Sequence, residues 1–224
     1  MTKKPAQRSE RPKSAKKVAK AVGEPAPYHH GDLREALLKA AESILEREGP
    51  AGLTLRAAAR EAGVSHAAPT HHFGDMGGLL SELAAEGFRR FGAFLAAAAE
   101  AEKTPTERLD AMGEAYVEFA RRYPGLFLLM FRSERLDVSR PALRDAIKAS
   151  FQTLSGGVAE QLSENPARAA APLATIAGIV RSWAMVHGFA MLLIDHRLDD
   201  ILEALPPGVD ARALLRAVLG SKAR

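Results

Sequence analysis

Five of the seven histidines in this 224-residue chain, His29, His30, His66, His71 and His72, fall in its N-terminal third. Imidazoles can hold a metal, relay a proton or change charge near neutral pH. Neighbouring histidines point apart on a helix, and no cysteine or carboxylate completes a ligand set at a usual spacing, so no metal is assigned. Cysteine is absent altogether, which removes disulfides, thiolate ligands and thiol nucleophiles. No convincing set of nucleophile-elbow, zinc-protease, phosphate-loop, dinucleotide or paired-carboxylate motifs is found. The expectation is a protein that is not an enzyme and carries no cofactor. What stands out instead is a group of small or hydrogen-bonding side chains around Gly63: Thr54, Ser65, His66, Ala67, Thr70, His71 and His72. Presented on a pair of short helices, they suit contacts with phosphates and base edges.

Two short helices must position them. Thr54 can cap one that runs to Ala62, with Leu55, Ala58 and Ala62 packing to one side. Gly63 supplies the turn, and Ser65 can cap a further helix ending near Phe73. Such a pair either inserts its second helix in a DNA major groove or is a packing corner. Upstream, Asp32 and Glu35 have capping-box spacing for a helix over roughly 32–48, which Gly49 and Pro50 stop. Downstream, Leu79, Leu80, Leu83, Phe88, Phe91, Phe94, Leu95 and Ala98 form one apolar stripe of a long helix starting at Asp75. Thr104, Pro105 and Glu107 open the next, with Leu109, Met112, Tyr116 and Phe119 on one face until Tyr123 and Pro124. A short helix over Leu126–Phe131 follows, then one from Ser139 that buries Leu143, Ile147, Phe151, Leu154, Val158 and Leu162, with a bend at Gly156 and Gly157. A long segment from Asn165 to Ile194 is broken or kinked at Pro172, and a last helix spans about 209–219 after Pro206, Pro207 and Gly208. The 43 alanines outnumber the 16 isoleucines and valines, so propensity favours helix throughout. The fold class is all-α, with nine or ten helices and no repeat.

Charge is unevenly spread. Residues 1–27 hold eight Lys or Arg against Glu10 and Glu24, a net +6, so the whole-chain +4 leaves −2 for residues 28–224. This tail also contains Pro5, Pro12, Pro25 and Pro27 with almost no large apolar side chain, a composition that favours disorder. Residues 28–78 carry five Lys or Arg and seven Asp or Glu, unusual for a unit that meets a polyanion. The tail is therefore expected to supply much of any electrostatic affinity for DNA. Its basic residues are not followed by the apolar stretch of a secretory signal, so a cytoplasmic location is expected. The most apolar run, Ile176–Ile194, includes Arg181, Ser182 and His187, which argues for a buried or dimer-forming helix and against a membrane span.

The segment Leu53–Leu80, LTLRAAAREAGVSHAAPTHHFGDMGGLL, resembles the helix-turn-helix of the TetR family of transcriptional regulators. Tyr28-His29-His30-Gly31-Asp32-Leu33-Arg34 and Trp183-Ala184-Met185-Val186-His187-Gly188 resemble its WHG-domain subgroup. The resemblance implies an N-terminal three-helix DNA-binding domain (28–78) behind the basic tail (1–27), joined to a larger helical ligand-binding and dimerisation domain (79–224). Partners implied are double-stranded DNA, a second copy of the chain and a small-molecule inducer. It further implies a repressor released from an inverted-repeat operator, and dimerisation through Ile176–Ile194 with a contribution from Val209–Leu219. Two family residues that usually touch phosphate are replaced: a tyrosine by Thr70, which has less reach, and a lysine by Met76, which has no charge. Those losses give some weight to an alternative, a nonspecific DNA-coating protein acting through the tail.

For the inducer, the expected lining is Phe91, Tyr116, Phe119, Met130, Phe151, Trp183 and His187, aromatic and sulfur side chains that can enclose an apolar molecule. Trp183 and His187 lie four apart and share a helix face. His187 either meets the ligand or makes a buried hydrogen bond near the dimer seam, where Gly188 admits the partner helix.

Overall fold

The structure, a computed structural model, describes residues 1–2, 30–171 and 173–220. The expectations for the basic tail, His29 and Pro172, and for the side chains of His30 and Asp32, lie outside the described residues. Among those described, every regular element is a helix.

The first helix, α1 (His30–Gly52), is broken at Gly49, whose φ of 71° leaves the helical region one residue before Pro50. This is the stop the Gly-Pro pair encodes. In α2 (Leu55–Glu61) the Thr54 hydroxyl accepts the Ala57 amide at 3.0 Å, as its cap position requires. Gly63 turns the chain at φ 68°, where a β-carbon would be strained. The following helix, α3 (Ala68–Phe73), starts later than Ser65: its N-cap is Ala67, with no side-chain cap, and the Ser65 carbonyl accepts the Ala68 amide in a preceding turn. Pro69 explains the shift. Proline lacks an amide proton, and a start at Ala68 places it in the first helical turn, where that donor would be unpaired anyway.

A 25-residue helix, α4 (Met76–Glu100), then runs from the head into the body, capped by Asp75 Oδ1 on the Gly78 amide at 2.7 Å. The boundary expected between residues 78 and 79 falls inside it. One apolar cluster continues from Leu37, Ile44 and Phe73 through Leu83, Phe88 and Leu95 to Phe119 and Leu143. The helix α5 (Pro105–Arg122) has the full capping box, Thr104 and Glu107 each bonding the other's backbone. After α6 (Pro124–Arg132), α7 (Pro141–Ser163) packs along α4. Its start differs from the expected Ser139, since Arg140 is the N-cap and Pro141 opens the helix.

The stripe of α7 also differs at one place. Ser150 is 6% exposed and lies where a β-carbon on Gly92 would come within 3.4 Å of its Cα, so residue 150 fills the seam with α4. Phe151, about 100° further round, is turned out and 45% exposed.

The segment beyond Asn165 is split into α8 (Pro166–Ala169) and α9 (Ala174–Ile194), with Leu173 at φ 64° before the restart. A short helix not anticipated from sequence, α10 (Asp199–Glu203), precedes α11 (Ala211–Gly220), which packs on α5. By length and composition α9 could cross a membrane; here it packs against α5 and α7. It also carries exposed Ile176 and Val180.

Candidate functional site

The head consists of α1, α2, α3 and the start of α4. Ala57, Ala58, Ala59, Ala68, Pro69 and Phe73 are buried, fixing α2 and α3 against α1 and α4. That burial leaves Thr54, Ser65, His66, Ala67, Thr70 and His71 exposed, with His72 half-buried. The rings of His71 and His72 stack at 5.4 Å. All seven expected DNA-contact positions thus belong to the α2–α3 unit, and six of them are open. Met76 is half-buried against the core rather than exposed.

Sequence reasoning missed Arg56 and Arg60, although a signal existed in their spacing, about one turn apart on α2. Both are exposed. The acidic residues of the head are engaged elsewhere. Glu35 pairs with Lys39 at 2.7 Å, Glu48 and Glu61 hold Arg47 at 2.8 and 3.3 Å, and Asp75 caps α4. The Arg47 guanidinium holds the Glu61 carboxyl below its usual range, and Lys39 does the same for Glu35. The described carboxylates of the head are tied into ion pairs and caps, while Arg56 and Arg60 are exposed on α2, Arg60 within electrostatic reach of Glu61.

Among the described residues, three side chains of α1 make polar contacts to α4 and α6. Arg34 pairs with Glu82, and Glu42 accepts Arg90 at 2.7 Å, both across to α4. Arg90 also lies over the Tyr123 ring at 4.4 Å. The third contact is made by Glu46, whose two carboxylate oxygens accept the Gly125 and Leu126 amides at 2.9 and 2.8 Å. These are the first free amides of α6, where a carboxylate is favoured by both hydrogen bonding and the helix dipole. Glycine at 125 eases this approach, because a β-carbon there would sit 3.0 Å from the Leu45 carbonyl and 3.1 Å from Glu46, tight enough to push them apart.

The far half of α6 reaches the aromatic centre of the body. Phe127 and Phe131 contact Tyr116 and His187, with centroid distances from 5.2 to 6.2 Å. Tyr116 Oη accepts the Trp183 indole N–H at 3.2 Å and lies 2.8 Å from His187 Nδ1. The Tyr116 hydroxyl and the Trp183 indole are both satisfied if the tyrosine donates to a neutral imidazole carrying its proton on Nε2. Burial raises the Tyr116 pKa far above the ordinary tyrosine range. Burial and, secondarily, Arg132 lower that of His187.

The expected inducer residues separate into three groups. Phe91, Phe119 and Met130 are buried in continuous packing. Tyr116, Trp183 and His187 form the hydrogen-bonded trio, and Phe151 faces outward on α7. Of the seven, only Tyr116 borders the cavity of about 280 Å³ between α5, α7, α9 and α11. Leu109, Met112, Leu154, Met185, Val186 and Leu219 supply its apolar wall. Asp110, Gln161, Arg181 and Ser182 are its polar residues. Among the described residues no cluster of His, Asp or Glu is arranged to hold a metal ion.

Comparison with known proteins agrees with this architecture. The family model described as bacterial regulatory proteins, tetR family, matches residues 37–83, and the tetracyclin repressor-like C-terminal domain matches residues 109–218. No curated protein sequence matches significantly. A solved protein of unknown function from Rhodococcus sp. RHA1 is 36% identical, with a TM-score of 0.71 over 87% of this chain and 95% of that one. The transcriptional regulator FadR from Bacillus subtilis, solved with stearoyl-CoA, is 15% identical, with a TM-score of 0.63 over 83% and 95% of the two chains. PfmR from Thermus thermophilus, a TetR family transcriptional regulator, is 18% identical, with a TM-score of 0.53 over 82% and 94%. The last two likenesses concern the fold alone. With a helix-turn-helix head matched by one model and a helical body matched by the other, the chain belongs to the TetR family of DNA-binding transcriptional regulators.

Proposed function

We propose that this regulator is a homodimeric repressor that binds an inverted-repeat operator and leaves it when a small molecule occupies the body. The observation that carries this reading is the exposed surface of α2 and α3, with Thr54, Ser65, His66, Ala67, Thr70 and His71 open and the cationic Arg56 and Arg60 exposed on α2, while the carboxylates of the head are held in ion pairs and a helix cap. Thr54, Ser65, His66, Ala67, Thr70, His71 and His72 contact the operator, and the two arginines reach phosphates.

The partner in dimerisation is a second copy of the chain, meeting the exposed stripe of α9. Leu173, Ile176 and Val180 are 72%, 60% and 57% exposed, a concentration of apolar surface that water disfavours. Gly188 on the same helix has nothing within 4 Å of where a β-carbon would stand, leaving room for a close helix approach. Two-fold pairing of α9 places two heads to read half-sites about one DNA turn, roughly 34 Å, apart. This surface meets protein rather than lipid, consistent with a cytoplasmic regulator.

Coupling runs from the body through α6 to Glu46 on α1. FadR shares the fold and was solved with stearoyl-CoA, which supports taking the helical body as the ligand-sensing part. The test is selection of bound genomic fragments by the purified protein at about 150 mM salt, with and without residues 2–27. A shared palindrome retained without the tail, preferred by about 1,000-fold or more over unrelated DNA, is the expected result. Fragments with no common site, lost with the tail, would instead establish nonspecific coating.

A further inference from the structure

The cavity between α5, α7, α9 and α11 is divided in polarity. Its apolar wall includes Met112, Leu154, Met185 and Val186, together with Tyr116. Tyr116 offers this space no hydroxyl for hydrogen bonding, since its oxygen already accepts from Trp183 and pairs with His187. A ligand group placed against it must be apolar, because a polar atom there would lose its hydration without a partner.

The polar residues are of the opposite character. No hydrogen bond or ion pair joins the Arg181 guanidinium, the Gln161 side-chain amide or the Ser182 hydroxyl to a described residue. The acidic residue of this group, Asp110, by contrast has an interaction of its own. Arg181 is exposed, while Gln161 and Ser182 are half-buried, so the three donors stand where solvent meets the cavity. Three donors, one of them cationic, select an acceptor with negative charge, and a guanidinium is well matched to a carboxylate.

We propose that the cavity takes a monocarboxylate amphiphile, its apolar body against Met112, Tyr116 and Met185 and its carboxylate on Arg181, Gln161 and Ser182. This rests on the ligand-responsive reading above and specifies the ligand class. A volume of about 280 Å³ corresponds to roughly nine groups of water size, so a chain of about eight carbons fills it.

Trp183 is the chain's one tryptophan. Its indole bonds to Tyr116 of the cavity wall, so its fluorescence is followed together with calorimetry, which reads binding directly. The full-length protein is titrated with octanoate, 1-octanol and octyltrimethylammonium, three heads on one chain. Octanoate is expected to bind roughly tenfold or more tighter than octanol, with the cation weakest. R181Q should bring octanoate close to octanol while leaving octanol itself unchanged, and M185F, which fills the apolar end, should weaken all three. Circular dichroism and melting of each variant show that the fold is kept. Equal affinity for the three heads, preference for the cation, an unaltered octanoate affinity in R181Q, or no binding by any probe overturns the assignment. Operator binding by fluorescence anisotropy is followed in parallel. Octanoate binding that leaves operator affinity unchanged would sink ligand-dependent release while the cavity assignment stood, and intact operator recognition with no carboxylate preference would do the reverse.

Discussion

Removing the Glu46 carboxylate should loosen α6 specifically. In E46A the Gly125 and Leu126 amides lose the acceptors now at 2.9 and 2.8 Å. A hydrogen bond to a charged group nets about 1.5–3 kcal/mol, and the loss of a helix N-cap costs about 0.5–2 kcal/mol. Glu46 is exposed, so water replaces part of what is lost, and the lower range applies: about 1–2 kcal/mol. If that cost falls on local opening of α6, exchange of the two amides should accelerate by a factor of roughly 5–30. Amide exchange followed by NMR or mass spectrometry measures this, with α7 around Leu143 and Leu154 as the internal control. E46Q should lie between, since a carboxamide keeps one acceptor oxygen and loses the charge. The argument fails if Gly125 and Leu126 exchange at the wild-type rate in E46A, or if α7 accelerates equally, which would mean global destabilisation rather than release of one helix.

Other consequences are open to direct measurement. R56A and R60A should each lower the log-log salt slope of operator binding by roughly 0.9 if each arginine neutralises one phosphate; an unchanged slope in both removes them from the interface. V180E should dissociate the dimer. Burying a valine is worth about 1.5–3 kcal/mol and two-fold symmetry counts it twice, so at about 4 kcal/mol the dimer dissociation constant rises roughly 1,000-fold, and a dimer unchanged in sedimentation would place the interface elsewhere. His187 predicts a pH effect of definite sign. Burial, then Arg132, holds its folded pKa below 6.5, so the unfolded chain takes up more protons as pH falls through that value. Stability associated with the neutral ring is complete above 6.5 and is lost on acidification. Melting temperature should therefore fall more steeply in the wild type than in H187Q between about pH 7 and 5.5, a window above the ordinary carboxylate range; parallel curves would contradict it.

Local signals in the chain were sufficient for most of the helices, the short α10 being the exception. Thr54, Asp75 and the Thr104–Glu107 box cap helices where their hydrogen-bonding chemistry requires, because a cap is satisfied within a few residues of sequence. Gly49 before Pro50, and Gly63, likewise end or turn the chain through their own backbone preferences. Ser65 shows the limit of such signals. It is a good capping residue, yet the position of Pro69 set the start of α3.

What sequence by itself determined, then, is an all-helical chain with a helix-turn-helix whose second helix presents Thr70 and His71. Only tertiary structure decided which side of each later helix faces the core and which faces open space. Phe151 belongs to an apolar stripe by spacing, but the close approach of Ser150 to Gly92 fixed the rotation of α7 and turned the ring outward. The same holds for the site. Formal charge counts carboxylates without regard to partners, and only packing showed that Glu42 and Glu46 are used on the body while Arg56 and Arg60 remain exposed on α2. Aromatic composition pointed to a ligand pocket lined by Phe91 and Phe119. Large rings fill space when neighbouring helices bring them together, and the cavity was left where Met112, Gly113, Ser182 and Met185 do not. Helix periods are written by residues three and four apart; cavities and charge partners depend on residues brought together from far along the chain.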